Sequence, residues 1–141
     1  ITMLQIIIGE EGKGKTRLLL NMANDEIKVS GGSVLFIDQS NKHIYELSNQ
    51  IRFVNVRDFD IDSTDMFIGF ILGIISSDHD LEKIFLDNFK ILSKSHSDKI
   101  DTILDKLQAI SEKNNLDFVI SLSMPANELN EKFKDNIIKT V

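Results

Sequence analysis

Met3–Ile8 (MLQIII) runs without a break into Gly9-Glu10-Glu11-Gly12-Lys13-Gly14-Lys15-Thr16, and this stretch decides the fold. The first six residues form a short β-branched run, the pattern of a strand buried on both faces. Beyond the glycines, Lys15–Lys28 carries Leu18, Leu19, Met22, Ala23 and Ile27 at helical spacing. The eight residues between fit G-x-x-x-x-G-K-[ST] at every fixed position. Glycines let such a loop turn so that consecutive backbone N–H groups point inward at phosphate oxygens. Lys15 then reaches the β- and γ-phosphates as a point charge, and Thr16 offers its hydroxyl to Mg2+. The helix that starts there adds the positive end of its dipole. Only seven glycines exist, and three fall between positions 9 and 14. At average glycine usage, chance produces the pattern in about one chain of this length in a few hundred. The nucleotide-binding residues are therefore read as Gly9, Glu10, Glu11, Gly12, Lys13, Gly14, Lys15, Thr16 and Arg17, the last lying along base or ribose.

Working outward, the Ser30-Gly31-Gly32 turn leads into Val34–Ile37, a second apolar strand ending at Asp38. His43–Gln50 predicts a short helix, and Arg52–Val56 alternates as an edge strand would. Asp62 or Ser63 can cap a helix over about 64–76. Ile84–Leu86 is a further strand, ending at Asp87. Ser97–Lys113 carries Ile100, Ile103, Leu104, Leu107 and Ile110 as one stripe, with Asn114-Asn115 ending the helix. Phe118–Leu122 predicts another strand, Asn127–Lys134 a helix, and Asn136–Val141 a last strand or a helix tail. Strands alternating with helices mean βαβ units. The expected fold is α/β, a three-layer α/β/α arrangement around a mostly parallel sheet of about five strands.

Composition narrows the function classes. The chain has 141 residues, 42% of them apolar, and a net charge of −6. That length predicts one domain over 1–141, able to bury about 70% of its unfolded-chain surface. With no cysteine there is no disulfide, no thiolate metal site and no catalytic thiol. The acidic balance argues against sequence-independent binding of nucleic acid. The longest apolar run, Met66–Ile75, is about half of a membrane span. No signal peptide is visible, so the expectation is a soluble, cytoplasmic domain without membrane contact.

A nucleotide site in a parallel sheet also needs an acidic residue to hold the metal, at the carboxyl end of a neighbouring strand. Asp38 and Asp87 both end apolar strands. Asp87 is favoured as the metal carboxylate beside Thr16. Asp38 then polarises the attacking water, directly or through Gln39, so the catalytic set is Lys15, Asp38 and Gln39.

The order of these parts resembles the RecA-like ATPases, most closely their KaiC/DnaB-like branch. The resemblance spans about residues 3–140, and GEEGKGKT is its specific motif; FIDQS (36–40) and IFLDNFKIL (84–92) match in pattern. It implies a RecA-like core with phosphate-loop architecture, ATP and Mg2+ as ligands, and a catalytic acid at the end of the second strand. Members of that branch usually carry one or two Glu where this chain has Asp38-Gln39. Two readings stay open: a Mg2+-dependent ATPase, or a nucleotide-gated interaction subunit that binds ATP with little or no hydrolysis. A guanine-reading N-K-x-D fails because Ile44 follows Asn41-Lys42-His43. A thymidine-kinase-type enzyme lacks the cysteines of its zinc lasso, and no Arg-rich lid supports a small-molecule kinase.

Met66–Ile75 is apolar all round, so its helix should be covered on every side. It is either a core helix beneath the sheet or a docking surface for a second copy or a protein partner. Gly69 and Gly73 would then allow close backbone approach. His43, His79 and His96 share no ligand spacing and read as surface or capping residues. Lys90, Lys94, His96 and Lys99 read as a solvated basic loop.

Overall fold

The computed structural model describes residues 3–141. Six strands form one sheet: β1 (Leu4–Gly9), β2 (Ser33–Asp38), β3 (Arg52–Asn55), β4 (Leu81–Leu86), β5 (Asp117–Ser123) and β6 (Ile137–Thr140). Their order is β3-β2-β4-β5-β1-β6, and every neighbouring pair is parallel. Four helices accompany them: α1 (Lys15–Val29), α2 (Thr64–Ser77), the single turn α3 (Phe89–Leu92) and α4 (Ile100–Asn114). The architecture is α/β with the three layers expected, and the sheet has six strands rather than about five. The added strand is β6, which hydrogen-bonds along the free edge of β1 through Ile6, Ile7 and Ile8.

Successive side chains of a strand point to opposite faces, which splits the core in two. Leu4, Ile6 and Ile8 of β1 share one face with Ile84, Leu86, Phe118 and Ile120, beneath Phe67 and Ile71 of α2 and Leu104 and Leu107 of α4. Ile7, Val34, Phe36, Phe85 and Val119 line the other, beneath Leu19, Leu20 and Ala23 of α1. Because both faces are covered, β1, β2 and β5 read as continuous apolar runs.

The caps follow the sequence. The Ser63 hydroxyl accepts the Met66 N–H at 3.1 Å and starts α2. Asn115 takes the left-handed conformation (φ 51°) that stops α4.

Three local expectations change. Residues 43–50 form only one 3-10 turn, Ile44–Glu46. The Asn24 side chain accepts the Ser48 N–H and the Ser48 hydroxyl accepts the Gln50 N–H, so side chains take the amides a helix would have needed. Residues 127–134 divide into two 3-10 stretches, Ala126–Glu128 and Glu131–Asn136. Extended Leu129 breaks them, and the Asn130 side chain accepts the Lys132 N–H to start the second. Third, α2 is not covered on every side. Phe67 and Ile71 are buried, but Met66 and Leu72 are 45% and 43% exposed. A Cβ on Gly69 or Gly73 would meet nothing within 4 Å, so neither glycine serves a close approach here. The helix lies on the outside of the sheet, and only the stripe facing inward is buried. Among the described residues no helix is long and apolar enough to cross a membrane.

Candidate functional site

In an all-parallel sheet every strand delivers its carboxyl end to the same edge, and ligands bind there. Here that edge holds Gly9, Asp38 and Ser123 as the last residues of β1, β2 and β5, with Asp87 directly after β4. The loop from Gly9 to Thr16 arches over it. Gly12 (φ 81°) and Gly14 (φ 91°) hold conformations that a side chain would strain, and Gly14 is the N-cap of α1. No side chain caps α1. The amides of its first turn have no partner within the helix and so remain able to serve an anion.

Lys15 is buried with 6% exposure, and its Nζ donates to the Glu10 carbonyl at 2.7 Å. Burial lowers its pKa from the ordinary lysine value, while the charges of Asp87 and Glu11 draw it back upward. The next residue makes the decisive contact. Thr16 Oγ1 donates to Asp87, 2.9 Å from Oδ2 and 3.2 Å from Oδ1. Sequence reasoning placed the acid on a strand beside β1, but β5 lies between β1 and β4. Ser121 of β5 spans that gap: its hydroxyl donates to Asp87 Oδ1 at 2.8 Å and accepts the Asn88 N–H at 2.7 Å. Asn88 adopts φ 56°, which turns the chain sharply after Asp87.

A cavity of about 330 Å³ opens above these groups, lined by Gly12, Gly14, Lys15, Thr16, Asp87 and Asn88 together with Glu11, Lys42, His43, Ser121 and Ser123. Its volume is at the small end of the range for ligand pockets. Asp38 and Gln39 are not among these lining residues. Asp38 is buried at the end of β2, where its Oδ1 accepts the Gln39 N–H at 2.7 Å. Burial raises the Asp38 carboxyl above the usual range and the Asp87 charge adds to this; the Gln39 N–H, His43 and Lys42 oppose it. Arg17 likewise lies outside the lining, its guanidinium donating to Glu46. Gly9, Glu10 and Lys13 belong to the loop but not to the cavity wall.

Among the described residues, no three His, Asp or Glu side chains gather to hold a metal. Thr16 and Asp87 still suit Mg2+. Mg2+ favours hard oxygen donors, takes one or two carboxylates from protein, and fills its octahedron with water and phosphate.

Five lining residues were missed as site residues: Lys42, His43, Asn88, Ser121 and Ser123. Ser121 and Ser123 are polar residues in and just after the apolar run Phe118–Leu122, and neither they nor Asn88 belong to a motif. Lys42 was weighed only in a failed guanine motif. His43 was set aside for lack of ligand spacing, because nothing local shows that the loop after β2 folds back over the cradle.

No protein-family model matches the chain, and no curated protein matches it in sequence. Solved structures do match. PCH-2 of C. elegans aligns over all of this chain and 35% of its own, at a TM-score of 0.55 and 16% identity. The flagellar accessory protein FlaH from Methanocaldococcus jannaschii aligns over 93% of this chain and 64% of its own, at a TM-score of 0.54 and 16% identity. The chain thus spans less than two thirds of either protein. At such identity the likeness concerns the fold alone, an α/β arrangement of a parallel sheet with helices on both faces.

Proposed function

We infer that this chain is a nucleotide-binding domain that takes Mg–ATP at the Gly9–Thr16 loop and hydrolyses it. The observation that carries this reading is the contact between Thr16 and Asp87, which brings the two oxygen donors a phosphate-bound Mg2+ needs to the foot of a glycine loop. ATP, rather than another nucleotide, rests on the resemblance to the RecA-like ATPases. An acid at the end of the second strand, Asp38, matches the pattern of the KaiC/DnaB-like branch, which carries Glu there.

In this mechanism the loop amides and Lys15 bind the phosphates, Lys15 exchanging the Glu10 carbonyl for phosphate oxygens. Thr16 and Asp87 would hold Mg2+, which when bound would supply positive charge against the phosphates. Ser121 orients the Asp87 carboxylate through Oδ1. Asp38, directly or through Gln39, orients the attacking water and accepts its proton, a task suited to a carboxyl raised by burial. In-line attack then separates ADP from phosphate. Nucleotide titration with and without Mg2+, followed by phosphate release, tests the reading. An absence of ATP binding at millimolar concentration overturns it.

One observation favours a second reading. Asp38 and Gln39 stand outside the cavity lining, which fits a subunit that binds ATP, hydrolyses it negligibly and docks a partner or second copy through the exposed face of α2. Turnover well above background that is lost in Asp38→Asn excludes it.

A further inference from the structure

The loop after β2 carries an ordered set of charges that the mechanism above does not use. His43 lines the same cavity as Gly12, Gly14, Lys15 and Thr16. Its Nδ1 is hydrogen-bonded to one carboxylate oxygen of Glu46, and Arg17 of α1 donates to the other. Asn24, also on α1, donates from Nδ2 to the Glu46 carbonyl at 2.9 Å and accepts the Ser48 N–H at 2.8 Å. Three contacts thus tie the 3-10 turn and Ser48 to the helix that begins at the cradle, and the His43–Glu46 bond holds the imidazole in register with them.

The state of Glu46 determines the state of the ring. Hydrogen bonds from His43 and then Arg17 hold its carboxyl below the usual carboxylate range, so it is ionised at neutral pH and can only accept. His43 Nδ1 must therefore carry a proton. That leaves Nε2 as the variable position: a lone pair in the neutral ring, an N–H donor in the imidazolium. A lone pair offers nothing to a phosphate oxygen, whereas a charged N–H makes a charge-assisted hydrogen bond.

The charge balance of the cavity gives that proton weight. Its charged lining is Lys15 and Lys42 against Glu11 and Asp87, two cations and two anions. Without His43 the lining sums to zero, a poor field for a polyphosphate.

We propose that His43 is a phosphate-contacting residue that binds the nucleotide in its doubly protonated form, so that binding takes up a proton. This rests on the phosphate-site reading above and adds its regulation by pH. Affinity then rises as pH falls. The titratable and charged groups around the ring are Glu46 on its own turn, Lys42 beside it, Arg17 from α1, Asp38 from β2, and Lys15, Glu11 and Asp87 across the cavity. Of these, Asp38 has its carboxyl raised, chiefly by burial, and its protonation would strengthen binding in the same direction.

The test is calorimetric titration of the full chain with ADP and with a non-hydrolysable ATP analogue, in Mg2+, at pH 6 and pH 8, in two buffers of different ionisation enthalpy. The expected result is affinity about tenfold higher at pH 6, on the scale of one charge-assisted hydrogen bond, with net proton uptake. His43→Gln should reduce the pH effect below about twofold and abolish the uptake while binding persists. Ring-nitrogen NMR on labelled histidine should show His43, identified by its loss in His43→Gln, moving to the doubly protonated form on nucleotide addition. A pH effect that survives His43→Gln and disappears in Asp38→Asn overturns the proposal, as does an imidazole that stays neutral in the complex. Failure of the unaltered chain to bind either nucleotide sinks this inference together with the phosphate-site reading; binding with a His43-independent pH effect sinks this inference alone.

Discussion

Thr16 and Asp87, 71 residues apart in the chain, meet through a hydrogen bond of 2.9 Å from the threonine hydroxyl to the aspartate Oδ2. If these two oxygens hold Mg2+ beside the phosphates, the metal response of nucleotide binding depends on both. Isothermal titration should show Mg2+ strengthening ATP binding to the unaltered chain. In Asp87→Asn that strengthening should fall by about tenfold or more, the scale of a hydrogen-bonded charge, with metal-free binding retained. An unchanged Mg2+ response would falsify the assignment.

Lys15→Ala separates binding from stability. Removing a charge-assisted contact to phosphate should weaken ATP affinity by about 10- to 100-fold. The melting temperature should not fall, because burial disfavours the Lys15 charge in the free protein. A variant that melts much lower yet binds normally would show a structural role for Lys15 instead.

Ser121→Ala should be costly without touching the cradle. Its hydroxyl partners both Asp87 Oδ1 and the Asn88 N–H, and removal leaves buried polar atoms short of a partner, at about 1–3 kcal/mol. For a chain of this size that is about 3–10 °C in melting temperature. Differential scanning calorimetry decides it, and a shift below about 1 °C would mean that the bridge carries no stability.

Asp38 sets a pH dependence with a definite sign. Its folded-state carboxyl is raised, chiefly by burial, so the fold favours the protonated form. Its stabilising contribution is complete below the unfolded value of about 3.9 and is lost as pH rises through the higher folded value. Asp38→Asn, which keeps the oxygen that accepts the Gln39 N–H, should therefore match the unaltered chain in acid and melt higher at pH 7. Melting curves across pH 4–8 test this, and a variant less stable at neutral pH contradicts it.

The two faces of α2 should differ sharply in tolerance. Ile71 is fully buried and Leu72 is 43% exposed. Ile71→Ala should cost about 2–4 kcal/mol, and Leu72→Ala about 0.5 kcal/mol or less. Urea unfolding of both distinguishes them; equal losses would mean that the outer face is covered in solution.

Local pattern was enough wherever a single segment carried the signal. The β-branched run before Gly9 is β1, the stripe from Ile100 to Leu107 is the buried face of α4, and Ser63 caps α2 as its position suggested. The segments misjudged were short ones. Residues 43–50 and 127–134 have helical spacing over barely two turns, too few for propensity to hold against side chains that capture their amides. Apolar content misled at α2, because hydropathy does not say which side of a helix meets the sheet.

The sequence by itself determined the glycine loop, the lysine and threonine at its end, and an α/β alternation with aspartates at two strand ends. These are properties of neighbouring residues, and backbone sterics and periodicity express them without help from the rest of the chain. Only the tertiary structure decided what converges on them. The strand order puts β5 between β1 and β4, so Thr16 and Asp87 meet beside Ser121, a residue with no motif of its own. The same packing swings the loop after β2 over the cradle, bringing in Lys42 and His43, and leaves Asp38 buried outside the cavity wall. Such meetings depend on contacts between residues distant in sequence, which no local spacing encodes.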